Sequence, residues 1–159
     1  MKRTDLAYMA GIMDGEGYIS LARRNSKRNK SGLRYDIQVG VTNTNKWLLE
    51  TFRFSFGGSI SKKKKGYEKS LPSSQDCFNW QIGNQQALTA IKTLLPYLRL
   101  KRLQAELAIK FCITLSDSYR SGGVPQEVMV LREAQYILMK KLQEGGKGND
   151  NTNSISTTR

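Results

Sequence analysis

The sequence predicts an α+β fold, with one antiparallel sheet covered by helices on one face and left open on the other. Two observations lead there. Segments with helical spacing alternate with pairs of strand-like segments, in the order α, two strands, α, two strands, α and then further helices. Within the strand-like segments apolar and polar residues alternate, as they do in a sheet with one buried face. At 159 residues the chain is long enough for one domain with a substantial core.

The elements follow in order. Residues 4–14 read as a helix, with Thr4 or Asp5 as its cap and Leu6, Met9 and Met13 as an apolar stripe. Ala7, Ala10 and Gly11 form a second face of small residues. Small residues let two helix backbones approach closely, so this face is expected to meet another helix. Tyr18 to Arg24 and Tyr35 to Thr42 read as two strands of a hairpin with a polar, basic tip. Ile37, Val39 and Val41 point inward, alternating with Asp36, Gln38, Gly40 and Thr42. Asn43-Thr44-Asn45 supplies capping chemistry for a helix over 46–56, with Trp47, Leu48, Phe52 and Phe56 expected inward; Gly57-Gly58 ends it.

Ser59 to Lys64 and Asp76 to Ile82 form a second strand pair, with Phe78, Trp80 and Ile82 toward the core and Cys77, Asn79 and Gln81 away from it. A helix opens at Asn84 and is limited near Leu95 by Pro96. Another runs from Lys101 to about Leu115, with Leu103, Leu107 and Phe111 on one stripe. Residues 121–125 break the chain. A last amphipathic helix spans 126–143, carrying Val128, Leu131, Tyr136, Leu138, Met139 and Leu142. Residues 1–144 are thus expected to form the domain, and 145–159 a disordered polar tail.

Charge narrows the function. There are 26 Lys+Arg against 13 Asp+Glu, a formal net charge of +13, which favours a polyanionic partner. No apolar run approaches the roughly 18–20 residues of a membrane span. The first residues lack the apolar stretch and cleavage site of a signal peptide. The expectation is a soluble, intracellular protein with no membrane partner. Cys77 and Cys112 are the only cysteines, too few for a disulfide framework or a zinc site. There is no histidine, so hydrolytic chemistry would rest on carboxylates.

The basic residues gather at two hairpin tips. Arg23, Arg24, Lys27, Arg28, Lys30 and Arg34 lie between Gly17 and Tyr35 with no acid among them; Lys62, Lys63, Lys64, Lys65 and Lys69 mark the second tip. A run of charge is often only a solvated loop, but two tips with the same bias read as a footprint on nucleic acid. Between the tips the strands offer side chains suited to base edges in a major groove, where Arg reads guanine and Asn or Gln reads adenine. The candidate DNA-contacting positions are Ser20, Ala22, Arg24, Ser26, Arg28, Arg34, Asp36, Gln38, Gly40, Ser59, Ser61, Lys63, Asn79 and Gln81.

The most informative stretch is Met9-Ala10-Gly11-Ile12-Met13-Asp14-Gly15-Glu16-Gly17. It sets two acids at a helix C-terminus, where the helix dipole makes each unfavourable by roughly 0.3–1 kcal/mol. A divalent cation with hard oxygen ligands would compensate, held by Asp14, Glu16 and the exposed carbonyls of the helix end.

This stretch resembles the signature of the LAGLIDADG homing endonucleases. Ala10, Gly11, Asp14 and Gly17 match the pattern, Met9, Ile12 and Met13 replace its apolar positions, Gly15 is a common variant, and Glu16 stands for its final Asp. The element order αββαββα followed by extra helices fits as well, so the resemblance covers about residues 4–142. It implies a DNA-binding saddle and a site-specific endonuclease that hydrolyses phosphodiester bonds with Mg²⁺, a site that Ca²⁺ or Mn²⁺ can also occupy. Glu16 aligns with the catalytic acid, binding metal together with the Gly15 carbonyl; Asp14 is the preceding acid, more often a support for the helix end. Asn43 aligns with a water-positioning residue, Lys101 with a basic residue near the reacting phosphate, and Lys46 with a further basic contact.

Only one copy of the motif is present, and a double-strand cut needs two centres. A twofold homodimer through Ala7, Ala10 and Gly11 is the expected completion, reading a long, near-palindromic site. Three alternatives stand beside it: a non-cutting DNA-binding regulator, an RNA maturase on the same scaffold, and a generic basic RNA-binding or ribosomal protein. Retention of both acids opposes the first, nothing in the sequence separates the second, and the third leaves the motif unexplained.

Overall fold

The structure is a computed structural model that describes residues 1–27, 32–63, 76–115 and 123–145. Helix α1 (Arg3–Glu16) leads into strands β1 (Gly17–Asn25) and β2 (Leu33–Asn43); helix α2 (Lys46–Phe56) leads into β3 (Ser59–Lys62) and β4 (Phe78–Gly83). Helix α3 (Asn84–Leu94) continues into a short 3-10 turn (Leu95–Tyr97), and α4 (Arg102–Thr114) and α5 (Gln126–Gly145) complete the described fold. Helix α1 therefore runs to Glu16 itself. Its N-cap is Lys2, not Thr4 or Asp5; Asp5 instead accepts the Lys2 backbone N–H at 3.0 Å. The expected tail lies outside the described residues, except Gly145, which ends α5.

The four strands form one antiparallel sheet in the order β1-β2-β4-β3. Ile19, Leu21, Tyr35, Ile37, Val39, Val41, Trp80 and Ile82 fill the face beneath the helices, as the alternation requires. Helix α1 adds Met9, Ala10 and Met13; α2 adds Leu49 and Phe52; α3 and α4 add Leu94 and Phe111. Trp80 is the centre of this core, packed on Phe52 with ring centroids 5.0 Å apart. Its indole N–H donates to the Gly57 carbonyl at 2.8 Å, so the largest buried side chain is also satisfied. Gly57 and Gly58 turn the chain at φ of 75° and 91°, and a Cβ on Gly58 would lie 2.3 Å from Ile82 Cγ2.

Several helix faces differ from expectation. Trp47 is 74% exposed, and Leu49 takes its inward place. In α4, Leu103 points outward while Ala105 and Ala108 are buried; in α5, Leu131 and Leu138 are exposed while Met129 and Arg132 are buried. A tightly packed core takes alanines where helices approach closely, so a stripe chosen by the largest apolar residues misphases the helix. Arg132 is covered because its guanidinium donates to the carbonyl of Thr114, the last residue of α4, where a cation also meets the favourable end of the helix dipole.

Candidate active site

The end of α1 places Glu16 beside the end of β2. The Asn43 side-chain amide donates to Glu16 Oε2, and Asn43 Oδ1 accepts the Asn45 backbone N–H at 2.6 Å. Register favours this meeting: Gly17 pairs with Val41 across β1 and β2, which brings the end of α1 alongside the end of β2. The polar run divides its work, since Asn45 caps α2 by accepting from Trp47 N at 3.0 Å while Asn43 is left to hold Glu16. Glu16 is exposed, and the hydrogen bond occupies only one of its two oxygens.

Asp14, the preceding acid of the motif, makes backbone contacts that support the helix end. Its Oδ2 accepts the Arg99 backbone N–H at 2.8 Å and its Oδ1 accepts that of Lys101 at 2.9 Å. Both oxygens thus clamp the turn that leads into α4. Lys101 also donates from its ammonium to the Asp14 carbonyl. Burial pushes the Lys101 ammonium below the usual lysine range, opposed by the nearby Asp14 carboxylate.

Glu16, Asn43 and Lys101 are therefore gathered at one helix end. Lys46 opens α2 with an exposed side chain, next to Asn45, and no hydrogen bond or ion pair joins it to Glu16, Asn43 or Lys101. Beside the cluster lies a cleft of about 700 Å³ lined by Asp14, Gly15, Gly17, Tyr18, Ile19, Leu100, Lys101, Gln104 and Gln143. The two glutamines were not legible as site residues. Gln104 donates to the Leu142 carbonyl at 3.3 Å and Gln143 to the Ile19 carbonyl at 3.0 Å, tying α5 to the cleft wall. The one available signal was the spacing of Gln104, three residues beyond Lys101, the N-cap of the same helix.

The open face of the sheet carries most of the expected DNA-contacting set. Ser20, Ala22 and Arg24 on β1 lie opposite Gln38, Asp36 and Arg34 on β2. Gly40 lies opposite Gln81 on β4, which in turn pairs with Ser59, and Asn79 pairs with Ser61. Thr42 donates to Asn79 Oδ1 at 2.9 Å, fixing which end of that amide faces outward. Lys63 follows β3 in the same alternation. Ser26 lies just past β1, half-buried, its N–H closing the tip on the Gly32 carbonyl at 2.8 Å.

Three placements correct the sequence reading. Gly40 is buried: the Tyr18 ring roofs it, and a Cβ there would lie 2.5 Å from the Tyr18 hydroxyl. It shapes the face without offering a contact. Arg23 belongs to the opposite, helix-covered side, paired with Glu133 of α5 at 2.5 Å and stacked over Tyr136. Ala10, expected in a dimer seam, is fully covered by this chain's own core. Arg28, Lys30, Lys64, Lys65 and Lys69 lie outside the described residues.

Among the described residues no cluster of three or more His, Cys, Asp or Glu side chains could enclose a metal. The donors that are present still suit a hard divalent cation in part: one free carboxylate oxygen on Glu16, and the Gly15 carbonyl, which as part of the last turn has no acceptor role within the helix.

A carboxylate set at the border of a basic, polar, one-sided sheet defines a protein that acts on nucleic acid. The model of the LAGLIDADG endonucleases matches residues 9–111, and the chain belongs to that family. It is 29% identical over 135 residues to the DNA endonuclease I-CvuI of Chlorella vulgaris, covering 83% of this chain and 78% of that one. A crystal structure of I-CvuI with the I-CreI target and 2 mM Mg, its DNA not cleaved, superposes with a TM-score of 0.74 at 19% identity, over 88% of this chain and 82% of that one. The archaeal intron-encoded I-Vdi141I, complexed with DNA, gives a TM-score of 0.70 at 15% identity, over 87% of this chain and 84% of that one. Another I-CvuI complex was obtained with 2 mM Ca. No described helix is long and apolar enough to cross a membrane.

Proposed function

We propose that this protein is a homing endonuclease that works as a homodimer, binds a long, near-palindromic duplex through its open sheet faces, and cuts both strands by metal-dependent hydrolysis. The observation that carries the proposal is Glu16, held by Asn43 at the border of the basic face and with no cationic partner among the described residues at its helix C-terminus.

Two features support a second copy on α1. Gly11 and Gly15 are exposed within the helix, and a Cβ on either would meet nothing within 4 Å. Each glycine costs about 1 kcal/mol of helix stability relative to alanine, and this chain's own packing does not require either. Close approach of another backbone does. With Ala7 they form an exposed line at intervals of four residues, which replaces the seam expected through Ala10. Beside that line an apolar groove of about 690 Å³ runs between α1 and α2, lined by Tyr8, Trp47 and Phe54 among others. Phe54 is 95% exposed, an arrangement that a partner surface would cover. Two copies joined on α1 would bring two Gly15–Glu16 ends together.

Mg²⁺ bound there would supply an activated water and charge neutralisation at the scissile phosphate. Glu16 and the Gly15 carbonyl of each copy would hold the cation. Asn43 fixes the Glu16 rotamer. Lys101, tethered to the Asp14 carbonyl, sets positive charge against the phosphate oxygens as negative charge grows on them. The test is cleavage, with Mg²⁺, of duplex made by joining the sequences that flank the coding element. Double-strand cutting that disappears in Glu16→Gln supports the proposal. Binding of that duplex with no cutting by the unaltered protein, or binding of the intron RNA alone, overturns it.

A further inference from the structure

Asp36 is the only carboxylate on the four strands of a protein with a net charge of +13. It stands on the open face, where a negative charge opposes phosphate binding. Its placement is specific. Asp36 Oδ1 accepts from Arg34 Nε at 2.9 Å and lies 2.8 Å from Arg34 Nη2, so one oxygen takes one whole side of the guanidinium. The Asp36 side chain is only 14% exposed, whereas that of Arg34 is 58% exposed. The acid lies low and the guanidinium rises above it.

The backbone beneath this pair is also fixed. Tyr35, between the two residues, is buried on the opposite face and donates its hydroxyl to Glu133 of α5. Strand β4 pairs with β2 only from Gln38 onward, so Arg34 and Asp36 sit where β1 and β2 alone form a two-stranded ribbon. At about 3.3 Å per residue, Arg34 lies roughly 13 Å out along that ribbon from the Gln38 row. A two-stranded ribbon fits a major groove.

We infer that Arg34 reads a guanine, and that Asp36 is the positioning residue that presents it. With Nε and one side of Nη2 committed to Asp36, the donors left over are those of the Nη1/Nη2 edge. That edge offers two parallel N–H groups, the complement of guanine O6 and N7. Asp36 thereby converts a mobile cation, able to sit on any phosphate, into an oriented fork. Opposite Asp36 across the strands stands Ala22, which leaves the ribbon open above the pair. The inference rests on the proposed role of the open face in DNA binding.

The experiment is selection from a pool of randomised duplexes in Ca²⁺, comparing the unaltered protein with Asp36→Ala, Asp36→Asn and Arg34→Ala, together with affinity for unselected random duplex. The unaltered protein should prefer guanine tenfold or more at one position and at its twofold mate. Each Asp36 variant should lose that preference there alone, while its affinity for random duplex rises because a negative charge has left the face. Arg34→Ala should lose the preference and bind random duplex more weakly. Retention of the guanine preference in the Asp36 variants overturns the inference, as does its retention in Arg34→Ala, which would mean that Asp36 meets cytosine directly. Loss of preference at every position, with a lowered melting temperature, overturns it in favour of a purely structural pair. Failure of the unaltered protein to bind any duplex is a separate result and removes the reading of the face itself.

Discussion

Removing the Asp14 carboxylate tests whether it is a clamp or a metal ligand. In Asp14→Ala the backbone N–H groups of Arg99 and Lys101 lose acceptors at 2.8 and 2.9 Å. A hydrogen bond to a charged group contributes about 1.5–3 kcal/mol. Arg99 is exposed and Asp14 half-buried, so water partly replaces the loss and the low end applies to each bond. The expected destabilisation is about 2–4 kcal/mol, a substantial part of the roughly 5–15 kcal/mol of an ordinary domain. Asp14→Asn keeps one acceptor but turns an NH₂ group toward the other N–H, so it should recover no more than about half of that. Urea denaturation reads both values. Cleavage should fall too, because Lys101 sits on the turn that loosens. The Ca²⁺ dependence of DNA binding should not move. A destabilisation of Asp14→Ala under about 0.5 kcal/mol, or a large shift in Ca²⁺ dependence at unchanged stability, would refute the clamp.

Three further predictions use other parts of the structure. Glu16→Gln should abolish Mg²⁺-dependent cutting while duplex binding, read by gel shift, stays within a fewfold; an equal loss of both would remove Glu16 from the chemistry. Phe54→Glu, at a site exposed in the single chain, should leave folding intact and make the protein monomeric in sedimentation, at the cost of double-strand cutting. Burial, reinforced by its bond to Glu133, pushes the Tyr35 phenol up to about 12 from its ordinary 10. The folded state then holds a proton that the unfolded state releases between pH 10 and about 12, so stability falls as pH rises through that window. Tyr35→Phe should show a flatter alkaline stability curve over the same range, measured by denaturant titration.

The order of elements was legible because β2 and β4 alternate cleanly and because glycine, asparagine and proline mark the ends of α2 and α3. Glu16, Asn43 and Lys101, which the structure gathers at one helix end, were singled out together in the sequence only by what the family resemblance implies for them. The rest depended on distant backbone. The function of Asp14 is set by residues 85 and 87 positions further on, which no local pattern reveals. Arg23 looked like one more cation at a hairpin tip, yet strand parity turns it toward Glu133, 110 residues away. Ala10 and Gly11 are equally small, and only the packing of α1 on the sheet decides which of them reaches the surface. Trp47 fits an amphipathic pattern as well as Leu49 does, and the difference between them appears only once Trp80 has filled the space beneath α2.

The two acids at the end of α1 raise one physical problem, and the fold solves it twice in different ways. A carboxylate there faces the partial negative charge of the helix C-terminus. Asp14 escapes by reaching across to Lys101, the N-cap of α4, where unpaired backbone N–H groups and the positive end of a second helix dipole receive it. The C-terminus of α1 and the N-terminus of α4 are thus joined through the Asp14 carboxylate, with the Lys101 ammonium on the Asp14 carbonyl as a second tie. Glu16, two residues on, has no such refuge. Among the described residues its partner is the neutral amide of Asn43, which orients the carboxylate without neutralising it. Among the described residues the fold therefore leaves one acid without a cationic partner, exposed and held by Asn43, on a helix whose neighbouring surface carries Gly11, Gly15 and a groove with Trp47 and Phe54. A cation on Glu16 and a second helix on that surface would relieve both deficits, and bringing two copies of Glu16 together would raise the need for the cation, since the two carboxylates repel. Metal binding and dimerisation would then be linked: Phe54→Glu should weaken divalent-ion binding although it touches no proposed ligand, and unchanged ion affinity in a monomeric variant would refute the linkage.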